Sequence, residues 1–150
     1  MKSTKNIWLA IFLFLGFNLN AQPKDSLDVA KATQKFVKAF NEFDWETFRG
    51  CFANDATIFF PGEFGERKTG RNEIEKSWKE IFPEFVDKTK HFDLNLIPEN
   101  MIIQVYERSA VVTFQMGSGD KHLSRRTLVF VKENKMWKIV HLHASNFSRD

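Results

Sequence analysis

The stretch Met136-Trp137-Lys138-Ile139-Val140-His141-Leu142-His143-Ala144-Ser145-Asn146-Phe147 decides how this chain folds. Apolar and polar residues alternate along it, and the turn-forming Glu133-Asn134-Lys135 leads into it, so it is predicted as a final β-strand. Side chains of an extended chain point alternately to two faces. Trp137, Ile139, His141, His143 and Ser145 are therefore predicted on one face, and Lys138, Val140, Leu142 and Ala144 on the other. Two histidines and a serine thereby join an apolar face, which becomes the predicted ligand-facing wall.

Working backward from that strand, Arg125 to Lys132, Ser109 to Met116 and Met101 to Tyr106 carry the same signal. Gly117-Ser118-Gly119-Asp120 supplies a turn between two of these strands. His91 to Ile97 also alternates, with Phe92, Leu94 and Leu96 on one side and His91, Asp93 and Asn95 on the other, until Pro98-Glu99-Asn100 interrupts it. A further strand is predicted there.

The first half of the mature chain has a different period. Val29, Thr33, Phe36, Val37 and Phe40 fall on one helical stripe that begins near Asp25 or Ser26, as an amphipathic helix requires. A second helix is predicted from Asp44, directing Trp45, Phe48, Cys51 and Phe52 inward and ending at Asn54-Asp55. Ala56 to Phe60 is a short β-rich run closed by Pro61-Gly62, and Gly65 to Gly70 reads as a turn or a very short strand. A third helix, with Asn72 as the predicted cap, carries Ile74, Trp78, Ile81 and Phe82 on its stripe and stops at Pro83. Helices first, then strands joined by hairpin turns, predict an α+β fold with helices packed on one face of a curved sheet.

The N-terminus reads as an address. Lys2 and Lys5 precede an apolar run from Ile7 to Phe17, and Ala21 offers a small residue for cleavage. Eleven apolar residues suit a signal-peptide core, whereas a membrane span needs about 20. Residues 1–21 are thus predicted to be a signal peptide and 22–150 the domain, with a periplasmic or secreted product and no stable membrane insertion after cleavage. Losing the peptide's two lysines leaves 20 basic against 19 acidic residues, a net charge of +1. No clustered basic face remains for nucleic acid. Cys51 stands alone, so it forms no internal disulfide, and it lies too far from the cleavage site to carry a lipid.

With the elements in place, the chain resembles the NTF2-like superfamily, in particular its SnoaL-like or DUF4440-type branch. The resemblance rests on Phe40, Asp44-Trp45, Ala56 to Gly62, Gly70 with Ile74 and Trp78, Ala110-Val111-Val112, Arg126-Thr127, and above all Trp137 to Ser145. It implies a cone-shaped α+β barrel, open at one end, with a pocket between sheet and helices and often a homodimer. Isomerases, cyclases, dehydratases and non-catalytic assembly domains share that fold, so fold alone does not fix function.

Candidate chemistry centres on His141 and His143, because imidazole titrates near neutrality and can serve as acid, base or hydrogen-bond donor. Both can equally be satisfied by their surroundings as structural residues. Asp93, on the predicted face of His91, and Tyr106, the sole tyrosine, are further catalytic candidates. Trp137, His141, His143, Arg126, Trp78 and Phe60 are the expected ligand-binding set, with Arg126 able to hold an acidic ligand through two hydrogen bonds. A zinc site would need a third ligand, His91 or His122, that no spacing supplies, and no metal is assigned. There is no glycine-rich phosphate loop, CxxC pair or G-x-S-x-G elbow, and no cofactor is expected. The residues leave two functions open. One is a pocket for a small, partly apolar ligand, with or without cofactor-free isomerase, cyclase or lyase chemistry, and the other is a dimeric binding or assembly module.

Overall fold

In the computed structural model, which describes residues 21–62, 65–89, 94–117 and 122–148, the helical stripes and strand alternations become two layers. The helices are α1 (Ala21–Asn41), α2 (Trp45–Gly50) and α3 (Arg71–Ile81), and a 3₁₀ turn at Pro83–Phe85 follows the last. The strands are β1 (Phe52–Phe59), β2 (Arg67–Thr69), β3 (Glu99–Tyr106), β4 (Ser109–Met116), β5 (His122–Glu133) and β6 (Met136–Ser148). They form one sheet in the order β2-β1-β6-β5-β4-β3. All neighbours are antiparallel except β1 and β6, which run parallel. This is the predicted α+β arrangement, with β2 and β3 as edges, so the sheet does not close on itself. No helix among the described residues is long and apolar enough to cross a membrane.

The helix starts show how local chemistry sets the boundaries. Asp44 caps α2 by accepting a 3.2 Å hydrogen bond from the Thr47 backbone N–H, the role an aspartate favours at the cap position. For α3 the cap is Gly70 rather than Asn72. Its φ of +78° turns the chain from β2 into the helix in a conformation that costs glycine little. Glu73 then reaches back to accept from the Thr69 N–H at 2.8 Å, giving one otherwise unpaired donor a partner.

Other boundaries also differ from those the sequence predicts: α1 begins at Ala21 rather than near Asp25 or Ser26. Phe52 opens β1 instead of ending a helix, although it is buried either way. Leu94 to Pro98 forms no strand despite its alternation, and residues 91–93 lie outside the described residues. The reason is visible at Leu96. Its N–H and C=O both bond the Asn41 side chain, at 2.9 and 3.0 Å, so a carboxamide on α1 satisfies the groups that a neighbouring strand would have paired. Leu94 and Leu96 still pack against the core.

The core lies between α1, α2, α3 and one face of the sheet. On β4, Ala110, Val112, Phe114 and Met116 point inward while Ser109, Val111, Thr113 and Gln115 point outward. Across the sheet, Leu128, Phe130, Ile139 and Leu142 continue the inner face. Rings from every layer meet there, with Phe48 packed 4.8 to 5.5 Å from Phe36, Phe40, Phe52, Trp78 and Phe85. Two strand lysines are held by partners in the fold. Lys132 pairs with Asp25 and stands over the Trp137 ring, and Lys138 donates to the Gly50 carbonyl.

The decisive departure is a β-bulge in β6. Phe130 pairs with Ile139, but Val129 pairs with His141, leaving Val140 without a partner. One extra residue advances the alternation by a step. Trp137, Ile139, Leu142 and Ala144 therefore face the core, while His141, His143 and Ser145 face outward with Thr57, Phe59, Thr127 and Val129. The single shared face predicted for Trp137, Ile139, His141, His143 and Ser145 is thus corrected. So is the assignment of Leu142 and Ala144 to the opposite side.

Candidate functional site

Between the helices and the inner sheet face lies a cavity of about 260 Å³. Helix α1 contributes Phe36, Val37 and Phe40, and α3 contributes Trp78 and Ile81, with Phe82 just after it. Phe60 and Pro61 close one side. The sheet supplies Phe114, Met116, Arg126, Leu142, Ala144 and Asn146. Phe40 and Phe60 both approach Trp78 edge-on, at 5.3 and 4.8 Å, a geometry aromatic rings favour. These contacts hold the apolar walls apart at a fixed spacing.

Arg126 and Asn146 bring polar groups from the sheet, and Trp78 adds a buried indole N–H that has no hydrogen-bond partner among the described residues. Arg126 pairs with Phe114 on one side and Ala144 on the other, so its side chain projects from the inner face. Asn146 lies two residues further along β6 on that same face, opposite Ser124. Ser124 donates to Asn146 Oδ1 at 2.7 Å, which leaves the amide N–H groups of Asn146 available. One Arg126 Nη1 proton goes to the Arg125 carbonyl at 2.9 Å. The guanidinium makes no ion pair among the described residues. Burial alone pushes its pKa down to about 10, and it remains cationic at neutral pH.

The expected site residues that the structure describes fall in different places. Arg126, Trp78 and Phe60 line the cavity together. Trp137 is buried elsewhere in the core. His141 and His143 are on the outer face, flanking Phe59 at ring distances of 5.9 and 5.7 Å. His141 Nδ1 and Thr57 Oγ1 share a 2.8 Å hydrogen bond. Burial, with a smaller contribution from nearby His143, holds the His141 imidazole below the usual histidine range. Tyr106 is exposed on the outer face of the edge strand β3. Asp93 and His91 lie outside the described residues, and so does the side chain of His122.

The bulge thus separates two groups that a regular strand would merge: an apolar cavity with one cation on the inside, and a histidine pair on the outside. Among the described residues, the cavity lining has no carboxylate, imidazole or phenol, and no three His, Cys, Asp or Glu side chains cluster as metal ligands do. Asn146, Phe36 and Phe40 were not anticipated as wall residues. The phenylalanines occupy the same stripe as ordinary core, and Asn146 faces inward only because of the bulge.

Comparison with known proteins agrees with this architecture. Residues 29–149 match the family model of the SnoaL-like domain. Among solved structures, a proposed dehydratase of the NTF2-like family from Streptomyces avermitilis superposes with a TM-score of 0.70 at 21% identity, covering 85% of this chain and 99% of that one. An NTF2-like protein of unknown function from Pseudomonas putida gives 0.69 at 13% identity, covering 82% and 87%. The CaMKII hub of S. rosetta gives 0.64 at 21% identity, covering 81% and 96%. No curated protein matches the sequence.

Proposed function

We propose, from the premise that this chain belongs to the SnoaL-like family of the NTF2-like superfamily, that it is an exported domain that binds a small, partly apolar molecule between its helices and sheet. The observation that carries this reading is the cavity itself, with aromatic walls and two polar side chains gathered at one end. Ligand sites are commonly apolar hollows with a few convergent polar groups. At about 260 Å³, the space equals the liquid volume of roughly eight or nine waters, which suits a ligand of modest size.

Binding is favoured over acid–base catalysis because a proton-transferring group must reach the reacting atom. The imidazoles of His141 and His143 stand on the other side of the sheet. Export is supported by the basic, apolar and small-residue sequence of positions 1–21, and an intact mass beginning at Gln22 in protein recovered from the periplasm or medium would test it.

The test of the cavity is native mass spectrometry of protein recovered from its own cells. Ala144→Trp, which fills the cavity from the sheet side, is expected to eliminate a co-purifying small molecule that His141→Ala and His143→Ala retain. Loss with the histidine variants and retention with Ala144→Trp would instead place the ligand on the outer face.

A second reading, homodimeric assembly, rests on that outer face. Val111, Val129, Thr113 and Thr127 run across its centre, and Ile102 and Tyr106 are exposed at its β3 edge. A sheet face with this much apolar surface gains from cover. A second subunit would supply it without obstructing the cavity, so dimerisation and ligand binding are compatible.

A further inference from the structure

We propose that the cavity selects an amphipathic carboxylate, its apolar body between α1 and α3 and its anionic head at Arg126 and Asn146. This rests on the cavity reading above and names the class of ligand. The first observation is where Arg126 sits. Its side chain borders the apolar cavity and also a more open hollow beyond it, lined by residues including Leu96, Met116, Ser124 and Asn146. The guanidinium therefore stands at the junction of the two spaces, where a head group can meet donors while its tail remains inside.

The second observation is that the cation has no acidic counterpart among the described residues. A charge withdrawn from water is costly unless it is paired or fully hydrogen-bonded. Every other arginine contact with an acid occurs elsewhere among the described residues, as in Arg49 and Arg71 sharing Glu75 at 2.9 and 3.4 Å. Glu99 borders the outer hollow yet makes no ion pair with Arg126. Of the five guanidinium N–H donors, one is bound to the Arg125 carbonyl. A carboxylate can accept two of the others in parallel.

The third observation is the neighbouring amide. Ser124 donates to the Asn146 carboxamide oxygen, so the amide N–H groups of this lining residue are left to donate. Arg126 offers donors alone, and Asn146 adds its amide donors while one lone pair of its oxygen is taken by Ser124. That favours an anion over an alcohol and strongly disfavours an amine. The aromatic wall formed by Phe40, Phe60, Trp78 and Phe82 suits an aryl or branched apolar body better than a long straight chain.

The probes are 4-phenylbutanoate, 4-phenylbutan-1-ol and 4-phenylbutylamine, which share one apolar body, titrated calorimetrically into the purified protein at pH 7.5. The acid is expected to bind at least about tenfold more tightly than the alcohol, and the amine most weakly. Arg126→Gln should abolish the preference, so that acid and alcohol bind alike, and alcohol binding that persists in the variant reports an intact cavity. Should that variant lose its fold, acid-over-alcohol preference in the natural protein decides the matter alone. Equal binding of acid and alcohol overturns the carboxylate assignment but leaves the cavity reading standing. Preference for the amine does the same. Binding of none of the three at millimolar concentration overturns both.

Discussion

Ile139 and His141 are separated by one residue on the same strand yet face opposite sides of the sheet. Ile139 is fully buried against Phe130, while His141 stands on the outer face against Val129 and Thr57. The unpaired Val140 between them exchanges the two faces for the rest of β6. What the cavity contains, and what the outer surface carries, both follow from that step.

Stability measurements on neighbouring residues test the exchange. Leu142 is 2% exposed and packs in the core, so Leu142→Ala should cost about 2–5 kcal/mol in urea unfolding. His143→Ala, on the exposed outer face, should change stability by less than about 0.5 kcal/mol. The opposite ranking would mean that the strand runs in the regular alternation.

The half-buried setting of His141 gives a pH dependence of defined sign. Its folded-state pKa lies below the ordinary 6.5, so below that pH the unfolded chain takes up a proton before the folded chain does. Its contribution is fully present above about pH 6.5 and declines as the solution is acidified toward the folded-state value. Unfolding followed from pH 7.5 to 5 should therefore show a loss of stability that His141→Gln reduces. An unchanged slope in that variant would assign the loss to other groups.

The hairpin leading into β6 can be improved. Asn134 and Lys135 both have positive φ, 47° and 67°, the geometry of a two-residue turn in which glycine is favoured at the second position. Lys135→Gly should stabilise the protein by up to about 1 kcal/mol, since the left-handed conformation strains a side-chain-bearing residue. Thermal unfolding checks this, and a lower melting temperature would contradict it.

If the outer face joins two copies, a charge at its centre should separate them. Val129 sits between Val111 and His141 in the middle of the sheet, and burying an unpaired charge there is strongly unfavourable. Sedimentation should show Val129→Lys as a monomer where the natural protein is a dimer, with 4-phenylbutanoate binding preserved in both.

Much of this architecture was readable because its signals are local. A stripe such as Val29, Phe36, Val37 and Phe40 specifies a helix through its own spacing, and the hairpins joining β3 to β6 follow from alternation and turn residues. The failures share a non-local cause. Leu94 to Pro98 alternates like a strand but receives Asn41 in place of a pairing partner, and no feature of the segment itself announces that. The bulge at Val140 carries no glycine to mark it, and valine is at home in any strand. A single unmarked residue was enough to place His141 and His143 in the predicted pocket and Leu142 outside it. Arg126 is legible as a ligand-facing group, whereas its distinguishing property, the want of a carboxylate partner among the described residues, depends on which side chains surround it.

The central claim is that ligand occupies the inner cavity rather than the histidine face, and nuclear Overhauser contacts between a bound ligand and assigned methyl groups measure this directly. With 4-phenylbutanoate bound, the phenyl protons should contact the Leu142 and Ala144 methyls. Contacts instead to the Val129 methyls and the His141 and His143 rings, with none to Leu142 or Ala144, would contradict the account.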